Sequence, residues 1–229
     1  MPPKADDGPK GKRKTRKRKT RAKAKEEIGV MAAESHGESR EDAPVDMIVV
    51  TDGDATAWRA VQAASTALGL VPVAVSRGNP TRVDARRIVE VARGHSGGTV
   101  VVMVDDQGDA GSGPGEKVLA ELLRDERVRV LGVVAVASNT PDVAGVVPEV
   151  SVDQTARVSE GSVDKEGQRS AGPLLGDTVD VLRKATREVV IVGLGDPGKM
   201  QGGDALADGV PATRAALAAV LARAGRGRR

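Results

Sequence analysis

Val100-Val-Val-Met-Val-Asp-Asp106 is a run of five apolar, mostly β-branched residues that ends on two acids. A strand without polar alternation is buried on both faces, the mark of a parallel sheet covered by helices on either side. Working outward, Met47-Ile-Val-Val-Thr-Asp-Gly-Asp54 and Val189-Val-Ile-Val-Gly-Leu-Gly-Asp196 have the same form. In an open parallel sheet the carboxyl ends of the strands share one edge, and ligands bind there. Asp52, Asp54, Asp105, Asp106 and Asp196 are therefore expected on one rim. Each acid alone also has a structural reading, because Asp ends strands and caps helices. Five together repel one another unless a cation, a basic side chain or protonation relieves them. A divalent metal, magnesium or calcium, is the partner such a set asks for.

The rest of the body alternates in the same way. Strands are expected over 48–50, 71–75, 99–104, 128–137 and 189–192. Helical spacing runs from an Asp54 cap through Trp58, Val61 and Leu68, over 82–93, through Glu116, Leu119 and Leu123, and over 177–186. A last helix starts at Pro211, which suits the first helical position. Residues 150–167 alternate loosely, as a small β excursion or an ordered loop would. The pattern predicts one α/β domain over 47–225, an open, mainly parallel sheet with helices on both faces, in a Rossmann-like three-layer sandwich.

Charge is divided unequally. Residues 1–30 carry a net +8 and the remainder −5. The leader, 1–46, contains Lys10-Gly-Lys-Arg-Lys-Thr-Arg-Lys-Arg-Lys-Thr-Arg21 and no apolar periodicity, so it is expected to be disordered. A solvated tail is one reading of it, and docking of residues 10–25 on an anionic membrane surface is another. No apolar segment follows it as a secretory signal requires. Residues 226–229 form a short basic tail.

Composition removes several chemistries. Without cysteine there is neither a disulfide framework nor a thiolate metal site. His36 and His95 sit apart, which leaves no histidine metal cluster or serine triad. Trp58 is the sole aromatic, so base stacking lacks side chains and, with an acidic body, nucleic acid is an improbable partner. No apolar run reaches the ~20 residues of a transmembrane helix.

Two enzyme patterns are partly matched. Gly193-Leu-Gly195-Asp-Pro-Gly198 has the letters of a dinucleotide fingerprint, but Pro197 and a Gly/Asp-rich loop delay the helix that must meet the pyrophosphate. Asp52-Gly-Asp54-Ala-Thr56 resembles the start of the haloacid dehalogenase-like phosphotransferases. In that reading Asp52 is the nucleophile, Asp54 the general acid, Ser138 the hydroxyl motif, and Asp196 a magnesium ligand beside a base such as Lys184. Against it, a second acid comes only at Asp204, and Asp105 and Asp106 have no role. Gly111 to Gly115 can wrap a phosphate ahead of Glu116, or form a lid over the acidic rim.

Taken together, Thr51-Asp-Gly-Asp54, Ser76-x-Gly-Asn-Pro-Thr81, Asp105-Asp-x-Gly108, Gly113-x-Gly-Glu116, Gly132 to Thr140, Val163-Asp-Lys-x-Gly167, Gly176-Asp-Thr178 and Gly195-Asp-x-Gly-Lys-Met200 resemble the soluble stage V sporulation protein AE family of spore-forming bacteria. The resemblance covers about residues 47–225, and the leader departs from the family pattern, which begins near Met47. It implies a non-enzymatic accessory of the germination apparatus, peripheral to the spore inner membrane. Such a protein would work with the other stage V sporulation A-operon proteins that move dipicolinic acid, chelated with calcium. On this reading Asn79, Gly113, Gly115, Glu116, Ser138, Asn139 and Lys199 line the ligand pocket, and the five aspartates hold a divalent cation. The alternative is a magnesium-dependent phosphatase-like hydrolase using Asp52 and Asp54.

Overall fold

Valine-rich strands occupy the centre of the molecule. The computed structural model describes residues 43–95, 97–185 and 189–226. The expectations for residues 1–42 and for the basic tail beyond 226 lie outside these described residues. In chain order the elements are β1 (Val45–Val50), α1 (Ala55–Ala67), β2 (Val71–Pro72), α2 (Ala85–Arg93), β3 (Val100–Met103), α3 (Pro114–Leu122) and β4 (Val128–Val136). They continue with β5 (Val150–Val152), β6 (Val158–Ser159), β7 (Ser162–Val163), β8 (Arg169–Ser170), β9 (Val190–Leu194) and α4 (Pro211–Arg226).

Seven strands form one sheet in the order β2-β3-β1-β4-β9-β5-β6, with every neighbouring pair parallel except β5 with β6. β7 and β8 make a separate antiparallel hairpin. The expected α/β sandwich is what the chain forms. Alternate residues supply two cores: Ile48, Val50, Val101 and Met103 pack with α1 and α4, while Met47, Val49, Val100 and Val102 pack with α2 and α3. Each such fully buried side chain contributes about 1.5–3 kcal/mol, so these strands hold the frame on which the loops stand.

The connection after β1 leads one way, to β2, and that after β3 leads the other way across β1 to β4. Since β1 and β3 are paired, their two loops diverge from adjacent strand ends and open a crevice. On the other side of β1 the register shifts, Met47 pairing with Val130 but Ile48 with Gly132. Leu131 is the extra residue of a β-bulge. It belongs to the core under α4, and Gly132 faces the same helix: a Cβ there would lie 2.6 Å from Val220 Cγ1.

Several boundaries differ from expectation. β1 starts at Val45, where Asp46 pairs with Arg129 at 2.5 Å, so residues 45 and 46 belong to the sheet. β2 stops at Pro72: Val73 still donates its N–H to the Val101 carbonyl at 2.9 Å, and a 3-10 turn over Ala74–Ser76 then takes the chain out of the ladder. Ser76 Oγ then accepts the Met103 N–H at 2.9 Å, in place of a strand carbonyl. The helix over 177–186 is only a 3-10 turn, Asp180–Lys184. Asp177 is drawn into another contact, its Oδ2 accepting the Gly108 N–H. The loose alternation at 150–167 conceals a true member of the main sheet, β5, which pairs parallel with β9.

Candidate functional site

The site begins where β1 ends. Thr51 Oγ1 accepts the Val136 N–H at 2.9 Å, holding the end of β1 against β4. Gly53 follows, with its N–H on Asp105 Oδ2 at 2.8 Å. A Cβ on Gly53 would lie 2.1 Å from the Gly78 carbonyl oxygen and 2.9 Å from Asp105 Cβ, so this loop accepts only glycine. Asp54 Oδ1 accepts the N–H groups of Thr56 and Ala57 at 2.7 and 2.8 Å and caps α1. Its second oxygen faces Lys199. Asp52, between strand and cap, accepts the Asp54 N–H at 3.0 Å.

A second wall comes from the end of β9. Gly195 packs so closely on the β7–β8 turn that a Cβ would lie 2.7 Å from Gly167 N and 2.8 Å from the Lys165 carbonyl oxygen. The Asp196 N–H donates to that same carbonyl at 2.8 Å. This contact brings Lys165 to the rim, its Nζ 3.9 Å from Asp196 Oδ2. Lys199 Nζ lies 2.8 Å from Asp54 Oδ2 and 3.1 Å from Asp196 Oδ1. Asp52, Asp54 and Asp196 each present one carboxylate oxygen, all within 4.8 Å of one another. They border a cleft of about 340 Å³ whose wall includes Asn79, Ser138, Asn139, Asp105, Lys165 and Lys199.

The body that carries this rim matches a known family: the chain matches the stage V sporulation protein AE1 family over residues 46–224. The chain belongs to that family. Comparison with curated proteins and with solved structures finds no match. Membership of the stage V sporulation protein AE1 family makes this a sporulation-related protein, and none of its described helices is long and apolar enough to cross a membrane.

Not every expected residue of this family member faces the cleft. Asp105 does, but its oxygens are taken by the N–H groups of Gly53 and of Gln107, the latter at 2.7 Å. Asp106 turns to α3, where Oδ1 accepts the Gly115 N–H at 2.6 Å and Oδ2 the Glu116 N–H at 2.9 Å. The expected phosphate loop is thus filled by the chain's own carboxylate, and a Cβ on Gly113 would lie 2.1 Å from Asp106 Oδ1. Glu116 accepts the Val181 N–H at 3.1 Å and steadies the 3-10 turn. Gly113, Gly115, Glu116 and Asp106 do not line the cleft, nor does Lys184. Lys165, Gln107, Thr140 and Asp177 do, although none of them was expected as a site residue. Lys165, Thr140 and Asp177 lie in the stretches Val163-Asp-Lys-x-Gly167, Gly132 to Thr140 and Gly176-Asp-Thr178, and Gln107 is the unspecified position of Asp105-Asp-x-Gly108; that Lys165 would meet Asp196 was not legible in any of them.

Electrostatics separates the AE1-family acids further. Burial, then the charges of Asp54, Asp105 and Asp196, push the Asp52 carboxyl up to about 8 against the pull of one backbone N–H. Asp105 is pushed up to about 6 by burial and by Asp177 and Asp106, with the Gln107 and Gly53 N–H groups opposing. Burial would raise Asp54 as well, but the Lys199 ammonium and the α1 N–H groups outweigh it and hold Asp54 below the ordinary carboxylate range. For Lys199 burial works against the charge, and its bonds to Asp54 and Asp196 win, raising it above an ordinary lysine.

Proposed function

We propose that this chain is a non-enzymatic accessory of the machinery that moves dipicolinic acid with calcium across the spore inner membrane, and that its cleft takes a divalent cation on Asp52, Asp54 and Asp196. The single observation behind the cation reading is the spacing of three carboxylates from two different strand ends. Oxygens sharing one calcium at 2.3–2.6 Å lie at most about 5 Å apart, and these lie within 4.8 Å. Membership of a sporulation family supports the setting. The partners in this proposal are the other stage V sporulation A-operon proteins, with the basic stretch 10–25 as the contact to anionic lipid.

The hydrolase alternative is less well served by the same geometry. A general acid must carry a proton at working pH, whereas Asp54 is held ionised by Lys199 and two helix N–H groups. Phosphates favour free helix N-termini. Here Asp54, Asp84, Asp106 and Asp204 place carboxylates on the first N–H groups of α1, α2, α3 and α4 respectively.

Calorimetric titration of the purified full chain with calcium chloride, magnesium chloride and preformed calcium dipicolinate tests the reading. Binding should be detected and should weaken at least tenfold in Asp52→Asn, since the amide keeps the shape but loses a charged ligand. Absence of binding up to about 10 mM, beyond the weakest range of protein calcium sites, would overturn it. Magnesium-dependent hydrolysis of a phosphate ester, lost in Asp52→Asn, would instead favour the hydrolase.

A further inference from the structure

Lys199 stands where a cation would stand. Its Nζ is 2.8 Å from Asp54 Oδ2 and 3.1 Å from Asp196 Oδ1. Asp54 has no other oxygen to offer, because Oδ1 is committed to the Thr56 and Ala57 N–H groups that start α1. A cation that reaches Asp54 must therefore use the one oxygen that the ammonium already holds. The lysine is able to leave, since its side chain is 42 % exposed and sits on a loop between Gly198, at φ +76°, and the short turn Met200–Gly202. Lys165, on the other side of Asp196, is 3.9 Å from the opposite oxygen, Oδ2, whereas the Asp54 oxygen is paired with Lys199.

We infer that Lys199 is a tethered counter-cation that a divalent ion displaces one for one, and that this exchange sets the selectivity of the cleft. The inference rests on the cation reading of the same cleft. Replacing one ammonium by one monovalent ion leaves the charge at the carboxylates unchanged, so sodium and potassium gain little by entering. A divalent ion adds a further unit of charge among three acids and gains from each of them. The ammonium it releases remains attached at the mouth of the cleft, a few ångströms from the ion, where a carboxylate carried in with the metal would meet it. Cation and anion binding are then coupled through one side chain, and by linkage each strengthens the other by the same factor.

The test compares the wild-type chain with Lys199→Met, Lys199→Arg and Lys165→Met in titrations with calcium, magnesium and potassium chloride, read by calorimetry and by the shift in thermal midpoint. Lys199→Met should bind calcium about tenfold or more tightly than wild type, since the competing unit charge is gone from contact distance. It should also respond to potassium where wild type does not. Lys199→Arg keeps a competing charge and should stay within about threefold of wild type, and Lys165→Met should change less than Lys199→Met. Wild type that binds calcium no more weakly than Lys199→Met would overturn the exchange while leaving the cation site in place. Wild type that is silent beside a Lys199→Met chain that binds would overturn the exchange, because no divalent ion then displaces the lysine, and would remove the cation role of the native cleft. Silence of both would overturn the two together.

Discussion

Asp52 and Asp106 occupy matching places in the sequence, each just beyond a buried β-branched strand, yet the fold uses them in opposite ways. Asp106 faces the start of α3 and is engaged by two backbone N–H groups at 2.6 and 2.9 Å. Asp52 accepts a single N–H at 3.0 Å and otherwise looks toward Asp54 and Asp196. One carboxylate is satisfied by peptide dipoles, and the other by nothing comparable among the described residues. The difference teaches that an acid at a strand end becomes a candidate ligand only when the following helix has found its cap elsewhere. Asp54 relieves Asp52 of that duty, and no other residue relieves Asp106.

The largest effect should come from the fully satisfied kind of acid. Asp204 is buried and receives the N–H groups of Gly198, Ala212 and Thr213 as well as the Thr213 hydroxyl. Asp204→Ala should lower stability by about 3–4 kcal/mol, measured by urea unfolding, because it strands several buried donors at once. Asp106→Ala should follow at about 2–3 kcal/mol. If either loss is below that of an exposed control such as Asp109→Ala, the distinction between capping and cleft acids fails.

Asp52→Asn should move the other way. Removing a charge that burial disfavours should stabilise the metal-free chain at pH 8, by at least about 1 kcal/mol, while erasing the thermal shift produced by calcium. A destabilised Asp52→Asn chain would mean that Asp52, like Asp106, serves the frame.

The third effect is one of pH. Asp52 and Asp105 are raised in the folded chain, to about 8 and about 6. A raised acid holds its proton more tightly when folded, so its contribution is fully present below the unfolded value near 4 and is lost as pH climbs through the folded value. The thermal midpoint without divalent ions should therefore fall between pH 4 and 8, with its later part, above pH 6, absent in Asp52→Asn. Calcium should restore more of it at pH 8 than at pH 6. Asp54, which is lowered, adds the opposite slope only at acid pH, as the protein is taken down through its folded value.

The sheet was readable from the sequence because its signal is local. Ile48, Val101, Val134 and Val192 lie in apolar runs, and no polar alternation competes with a strand buried on both faces. β5 was harder: three residues, with Ser151 in the middle donating to the Gly161 carbonyl, give no run to detect. The 3-10 turn at Asp180–Lys184 had helical spacing, but whether such spacing becomes a helix depends on contacts far away in the chain: Asp177 accepts the Gly108 N–H of the β3–α3 loop, and Glu116 of α3 accepts the Val181 N–H. The cleft was legible as a list of strand-end acids and illegible as a geometry. Nothing near Lys165 or Lys199 announces that both will reach Asp196, and nothing in Asp105-Asp106 tells which of the two will turn away.

The bulge in β4 ties a distant part of the molecule to the cleft. Because Leu131 is the extra residue, α4 rests directly on a glycine, with Val220 against Gly132. α4 is a rigid rod, and its other end, about 14 Å along at 1.5 Å per residue, is clasped by Asp204, which also grips the Gly198 N–H. The residue after Gly198 is Lys199. A methyl group added at Gly132 would therefore act as a wedge under one end of a lever whose far end carries the lysine, displacing a charge in the cleft from a position that touches no part of it.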